Sequence, residues 1–168
     1  VAVDADHFMQ YPETWWNGTT WDFPDGSVPW TFNGPLATHP NGTNSGELNE
    51  EHWSIRRWVA DELSGPTDVR LIWHAAKGNA NGTGVTGALH VNGVTVDSAA
   101  IAGNDSTGVV RSVVANLVVG DIVDLALNSV GPTGDRGDGA DGSFTWLVID
   151  TELPDADASQ GAVLSEVP

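Results

Sequence analysis

Tryptophan is the residue type in this sequence best suited to contacting a ligand. The chain holds eight tryptophans but only one tyrosine. Four of the indoles stand among Asp, Asn, Gly and Pro residues, which are typical of loops: Trp15, Trp16, Trp21 and Trp30. An indole on a loop offers a flat face on which a sugar ring can stack. These four residues therefore predict a carbohydrate-binding surface.

Hydrogen-bonding side chains beside the indoles would complete such a surface, because carboxylates and amides recognise sugar hydroxyls. Asn17 and Asp22 lie closest to the tryptophans in sequence, and Asp25 and Asn33 follow. The same residue types also build turns. The sequence therefore leaves open a second interpretation, in which the four indoles pack as a lid onto the scaffold below them.

A glycine-rich loop over residues 134–142 carries three carboxylates, those of Asp135, Asp138 and Asp141. Calcium prefers oxygen ligands from carboxylates and backbone carbonyls, and glycine lets the backbone curl to offer those carbonyls. The spacing differs from that of the helix-loop-helix calcium motif, so the loop predicts an irregular structural Ca²⁺ site. The alternative is an ordinary solvated acidic turn.

Charge and composition exclude several classes of function. Six basic residues face twenty-three acidic ones, for a formal net charge of −17, which opposes binding to nucleic acid or to anionic membranes. No apolar run is long enough for membrane insertion. Cysteine is absent, which excludes disulfides and thiolate sites. The first residues lack the pattern of a signal peptide, so for an exported protein we expect the signal to be removed or to lie upstream.

Catalytic motifs are missing from the sequence. It contains neither a G-x-S-x-G nucleophile elbow nor a phosphate-binding glycine loop before a lysine. The five histidines show no pair at metal-ligand spacing. A glycosidase needs two carboxylates facing each other across a sugar, and in so acidic a chain the presence of candidate acids means little. We therefore expect a protein that is not an enzyme.

Turn residues divide the chain into an arm, a scaffold and a tail. Residues 1–50 predict a Trp-, Gly- and Pro-rich arm that packs on the scaffold, with at most one helical turn near Ser45–Glu51. Residues 51–150 alternate as β-strands do, and residues 151–168 predict a polar tail or linker. The predicted strands are His52–Ala60, Thr67–Ala76, Gly87–Val91, Val94–Ala99, Val109–Val118, Ile122–Asn128 and Phe144–Ile149.

These strands predict an all-β fold, a two-sheet antiparallel β-sandwich of jelly-roll type with a long loop-rich amino-terminal arm. Asn92-Gly93 supplies the two positive-φ positions that a two-residue hairpin requires. Apolar neighbours place Trp58, Trp73 and Trp146 in the predicted core. Val109–Val118 is apolar on both faces, which predicts burial on both sides.

Arg56 and Arg57 occupy adjacent strand positions and therefore point to opposite faces of a sheet. In a chain this acidic, we expect at least one of them to pair with a carboxylate at a strand end, such as Asp121 or Asp124. Contact with an acidic sugar is the alternative.

Three ordered stretches carry a family resemblance: HWSIRRW at 52–58, GTGVT at 82–86 ahead of the hairpin, and VGDIVDL at 119–125 ahead of residues 138–149. Together they resemble a recurrent β-sandwich module of large secreted bacterial proteins, found beside polysaccharide-degrading domains. The resemblance covers residues 53–149. It implies a carbohydrate-binding or adhesive accessory module that is secreted or displayed on the cell surface, often with a structural calcium. The tryptophans of the arm lie mostly outside it.

Three functions follow as hypotheses. The first is a non-catalytic carbohydrate-binding accessory module whose partner is a polysaccharide or glycan. The second is a structural or adhesive extracellular domain, a fibre, surface-layer or repeat-array subunit, whose Trp-rich arm contacts copies of itself or other domains of the same polypeptide. An unrecognised polysaccharide-active enzyme is the third. Solvent-exposed indoles favour the first, whereas indoles buried against another chain favour the second.

Overall fold

The structure, a computed structural model, describes residues 10–23, 30–43, 51–137 and 139–153. Within these ranges the chain forms ten β-strands and one short 3-10 helix, Glu13–Trp15. The strands are β1 Trp21–Asp22, β2 Phe32–Asn33, β3 Ala37–His39, β4 Ser54–Val59, β5 Thr67–Lys77, β6 Gly84–Val91, β7 Val94–Ala102, β8 Val109–Leu117, β9 Ile122–Asn128 and β10 Ser143–Asp150. The helical turn expected near Ser45–Glu51 falls almost entirely outside the described residues.

The strands form two antiparallel sheets that pack face to face. One has the order β1-β2-β3-β10-β5-β8 and the other the order β4-β9-β6-β7. Apart from the β6–β7 hairpin, successive strands from β3 onward lie in opposite sheets, which gives four strands per sheet in jelly-roll order. The predicted all-β sandwich is therefore confirmed. In the hairpin, Asn92 and Gly93 have φ values of 50° and 78°, as the predicted turn requires.

Alternating residues of the facing strands form the core between the sheets. It contains Val69, Leu71, Trp73, Ala75, Val85, Leu89, Ile101, Leu117, Val123, Leu125 and Leu127. Trp73 is fully buried and Trp58 packs against the cluster, as predicted for both. Gly87 of β6 lies against the Trp73 ring, and a Cβ atom there would stand 2.8 Å from ring atom Cζ3. Glycine therefore lets the indole lie close to the β6 backbone.

Two predictions of burial are wrong, both in the six-stranded sheet. Val110, Val114 and Val118 are 64%, 55% and 43% exposed, so β8 is buried on one face only. Trp146 alternates with the core-facing Leu147 and therefore lies on the outward face. There its ring stacks on His74 at 5.3 Å between centroids. Both faces of these strands are apolar in sequence, so the pattern does not reveal which face turns inward.

The arm is built into the sandwich rather than wrapped around it. β3 pairs with β10, so β1, β2 and β3 extend the larger sheet. Asn33 Oδ1 accepts hydrogen bonds from Thr38 Oγ1 at 2.8 Å and from Ser54 Oγ at 2.7 Å. These bonds link the arm to β4 of the other sheet. They also occupy the side-chain oxygen of Asn33, a residue that the sequence analysis named as a candidate for hydrogen-bonding a sugar.

Arg56 fastens the arm from the inner face of β4. Its Nε donates to Thr145 Oγ1 at 2.9 Å, and its Nη2 donates to the Gly34 carbonyl at 2.8 Å. Burial lowers the pKa of this guanidinium. Arg57, on the opposite face, pairs with Asp124. The prediction that the two arginines point to opposite faces and that one pairs with a nearby carboxylate is therefore confirmed.

Candidate functional site

A tight turn at Asn17 brings two of the predicted tryptophans together. Asn17 Oδ1 accepts hydrogen bonds from the amide nitrogens of Thr19 at 3.0 Å and Thr20 at 2.9 Å, and Asn17 Nδ2 donates to Thr20 Oγ1 at 2.7 Å. Gly18 adopts a φ of 101°, which glycine tolerates. The turn reverses the chain so that Trp16 and Trp21 form an antiparallel bridge.

The two indoles line an open cleft. The centroids of the Trp16 and Trp21 rings lie 5.4 Å apart, and the rings are tilted by 46°. Together with Glu13 they line a cleft of about 420 Å³. Trp16 is 47% exposed, so one side of its ring is open to solvent. The cleft therefore combines two apolar ring surfaces with one carboxylate hydrogen-bond acceptor.

Trp15 has a structural role instead. Its ring packs on Tyr11 at 5.5 Å and edge-on to Phe23 at 4.6 Å. Phe23 in turn contacts His52, two residues before β4, at 5.1 Å between ring centroids. This ladder of aromatic rings anchors the arm. For Trp15, the arrangement matches the lid interpretation rather than a sugar platform.

Trp30 and Trp53 are exposed, and each is next in sequence to a residue that contacts the ladder ring Phe23: Thr31, whose carbonyl accepts the Phe23 amide, and His52. Trp30 is 50% exposed, and its backbone amide donates to Asn41 Oδ1 at 3.2 Å. Trp53 is 42% exposed, and its Nε1 donates to Glu51 Oε1 at 2.7 Å. The two tryptophans flank the bridge between Asn41 and His52. Trp30 is therefore not among the described residues that line the cleft with Trp16 and Trp21.

The predicted polar partners serve the scaffold more than the cleft. The Asn17 side chain is used within its own turn. Asp22, half-buried on β1, lies close enough to Tyr11 for its negative charge to act on the phenol. Burial first and the Asp22 charge second raise the pKa of Tyr11 above its ordinary value. Asp25 lies outside the described residues.

Glu13 is the cleft residue that the sequence reasoning missed. It stands three positions before Trp16 on the short 3-10 helix. Residues three apart on such a helix lie on the same side of it. The three-residue spacing of Glu13 and Trp16 is therefore the feature of the sequence that could have identified Glu13.

Two of the three carboxylates of the acidic loop differ in their exposure to solvent. Asp135 is exposed, and its Oδ1 accepts the Gly137 amide at 2.9 Å, whereas Asp141 is buried. Asp138 lies outside the described residues. Lys77, the one lysine of the sequence, is buried beside the loop, and its ammonium donates a hydrogen bond to the Ala140 carbonyl. Among the described residues, no three acid or histidine side chains gather as a metal-ligand group. A Ca²⁺ ion there stays a prediction.

No protein-family model and no curated protein matches the chain. The resemblance carried by residues 53–149 therefore stays a prediction. Within the described ranges, no helix has both the length and the apolarity needed to cross a membrane.

Proposed function

We propose that the protein is a non-catalytic carbohydrate-binding module that stacks a sugar ring on the exposed surface of the paired indoles of Trp16 and Trp21. The observation that carries the proposal is the open cleft of about 420 Å³ that these rings form with Glu13. Its volume lies within the range of small-ligand sites. A pyranose ring presents apolar C–H groups to the indoles and hydroxyl groups to the carboxylate.

The cleft is held in place before a ligand arrives. The Asn17 turn fixes the backbone between the two tryptophans, and the Trp16–Trp21 bridge pairs the residues at the two ends of that turn. Little side-chain or backbone order then remains to be gained on binding, which favours affinity. The Trp15 ladder holds the same segment from the other side.

The negative charge of the protein favours neutral over anionic glycans as ligands. At a net charge of −17 the chain repels anionic polysaccharides. The carboxylate of Glu13 adds repulsion inside the cleft itself. We therefore expect neutral polysaccharides as ligands. An enzymatic function would need a second carboxylate facing the sugar, whereas the described lining of the cleft supplies Glu13 alone.

The test is a titration of intrinsic tryptophan fluorescence with soluble neutral and anionic polysaccharides. Trp16→Ala and Trp21→Ala should each weaken binding of a neutral glycan by at least about tenfold, because each removes a stacking face. Trp53→Ala is the matched control, since Trp53 is comparably exposed but lies outside the cleft. Wild-type affinity in Trp16→Ala, or no binding of any neutral glycan, would refute the proposal. Release of reducing sugar on the same panel would indicate an enzyme.

Self-association through the arm is the second candidate. Trp30 and Leu36 are 50% and 55% exposed, and exposed apolar side chains of this size often mark a protein contact. In that case Trp30→Ala would lower the apparent mass on gel filtration while leaving the glycan titration unchanged. Secretion and a structural calcium complete the proposal as predictions.

A further inference from the structure

One long side of the sandwich ends in two edge strands. β7 is the last strand of the smaller sheet and β8 the last strand of the larger one. Each is nine residues long, and the turn at 103–108 joins them. Among the described residues, no strand pairs with the outer edge of either. Two rows of backbone amide and carbonyl groups therefore face outward along the same side.

β8 lacks most of the usual protection against strand pairing, because it pairs with β5 without a register shift, whereas the β6–β7 pair has a bulge at Leu89 and His90. Natural edge strands carry lysine, proline, β-bulges or inward-pointing charges that prevent contact with another strand. β7 and β8 contain no lysine and no proline. Their residues on the outward faces of the two sheets are uncharged: Thr95, Ser98, Ala100 and Ala102 on β7, and Val110, Ser112, Val114 and Asn116 on β8.

The charges on this side cancel. The two strands carry one acid, Asp97, and one base, Arg111. Arg111 Nη2 lies 2.7 Å from Asp97 Oδ1, and Arg111 Nε donates to Asp97 Oδ2 at 2.8 Å. The same carboxylate accepts the Trp73 indole N–H at 3.0 Å. The chain as a whole carries −17, so this side is where two copies can approach with little repulsion from their own strands.

We infer that the β7–β8 side binds a second copy of this chain by antiparallel pairing of β8 with its two-fold mate. With the axis at Val114, the outward valines meet: Val114 faces its equivalent, and Val110 faces Val118 of the other copy. Such isologous strand pairing satisfies the free backbone groups of both edges.

The contact area agrees with this partner. A nine-residue strand spans ~30 Å, and two sheets ~10 Å apart with their outward side chains give a face ~20 Å wide. Each copy would then bury on the order of 600 Å², which exceeds the usual minimum of a specific interface when both copies are counted. This inference does not depend on the Trp16–Trp21 cleft, which lies on a different part of the chain.

The experiment is sedimentation equilibrium of the full chain over a concentration series. Wild type should reach twice the monomer mass, and Val114→Lys should raise the dissociation constant about tenfold or more, because two like charges would face each other across the axis. The control is Val148→Lys, at a comparably exposed residue on β10 of the same sheet, away from the edge. Circular dichroism melts should confirm that both variants fold.

A cysteine scan supplies an independent readout, since the chain contains no cysteine. Val114→Cys should form an intermolecular disulfide on mild oxidation. Val59→Cys, on the edge strand β4 of the other sheet, should not. A wild type that stays monomeric at all concentrations would overturn the inference. Equal dissociation by Val148→Lys would also overturn it, because that result would indicate copies stacked face to face.

Discussion

The guanidinium of Arg57 and the carboxylate of Asp124 meet at two points across the β4–β9 pair. Arg57 Nε lies 2.8 Å from Asp124 Oδ1, and Nη2 lies 2.9 Å from Oδ2. Asp124 is 1% exposed although it occupies the outward face of β9, opposite the core-facing Val123 and Leu125. A carboxylate this deeply buried depends on its partner for the hydrogen bonds that water would otherwise supply.

Arg57→Met should therefore destabilise the fold strongly. The variant leaves the Asp124 carboxylate buried without its guanidinium, and we expect the free energy of unfolding to fall by about 2–3 kcal/mol, below the roughly 3–5 kcal/mol of a fully buried pair because the Arg57 side chain is 27% exposed. Urea denaturation measures this change. The control is Arg70→Met, because Arg70 lies 3.9 Å from Asp150 and both side chains are about a third exposed. Its cost should be below about 0.5 kcal/mol. Equal losses in the two variants would contradict the assignment.

Gly87→Ala should disturb the core without adding any polar group. The new methyl group would stand 2.8 Å from Trp73 Cζ3 and 3.1 Å from Ala75 Cβ, so the indole must shift. Overpacking of this kind costs about 1–3 kcal/mol. Gly65→Ala is the matched control, since nothing lies within 4 Å of its added Cβ. A lower melting temperature in the first variant alone would support the assignment, and identical melting curves would oppose it.

The fold could be predicted from sequence further than the site could. Turn chemistry is local, so Asn92-Gly93 predicted the β6–β7 hairpin. The alternation of Val69, Leu71 and Trp73 likewise predicted which face of β5 lies in the core. The outward position of Trp146 could not be predicted, because β10 is apolar on both faces and its orientation depends on pairing with β5. Long-range pairing also brings β3 of the arm onto β10.

The site depends on distances that residue types do not encode. Trp15 and Trp16 are neighbours of the same type, yet one packs between Tyr11 and Phe23 and the other lines the cleft. Trp15 ends the 3-10 helix and Trp16 begins the extended segment after it, so their side chains leave the backbone in different directions. The sequence supplied the indoles, and the Asn17 turn decided which of them would meet Trp21.

His90 should make stability fall on mild acidification. Its ring lies on the outward face of β6, across from Asp124, with Nδ1 3.2 Å from Thr95 Oγ1. Burial lowers the pKa of His90 below its ordinary 6.5, and the negative charge of Asp124 partly opposes this shift. Between the folded pKa and 6.5 the unfolded chain therefore binds more protons. The contribution of His90 is present above pH 6.5 and is lost as pH falls below that value.

Urea denaturation across this range in wild type and in His90→Asn measures the effect. The stability of wild type relative to the variant should decline as pH falls from 6.5. Comparison with the variant cancels the titration of the other histidines and of the carboxylates. Parallel curves for the two proteins would mean that the folded and unfolded states share one His90 pKa.

A calcium ion bound by Asp135 and Asp141 would stabilise the folded state by mass action. Removing it with a chelator should then lower the melting temperature of wild type by a few degrees, and Asp135→Asn should abolish that response. Asp68→Asn, at an exposed acid on β5, is the control. An unchanged melting temperature would contradict a calcium site in this loop, where the Lys77 ammonium already donates to the Ala140 carbonyl.

Asn17→Ala should weaken glycan binding although it removes neither indole. The variant loses the bonds from Asn17 Oδ1 to the Thr19 and Thr20 amides and from Nδ2 to Thr20 Oγ1. The turn then becomes more mobile before binding, and ordering it costs affinity. We expect a loss of roughly three- to tenfold. The fluorescence titration used for Trp16→Ala measures it.

A graded series separates positioning from direct contact. Thr19→Ala removes a single bond, from Thr19 Oγ1 to Asn17 Oδ1 at 3.0 Å, and keeps the amide bonds of the turn. Its effect on affinity should therefore be smaller than that of Asn17→Ala. Asn79→Ala, in a distant turn, should leave affinity unchanged. If Asn17→Ala binds like wild type while Trp16→Ala does not, the rings themselves recognise the sugar and the turn does not position them.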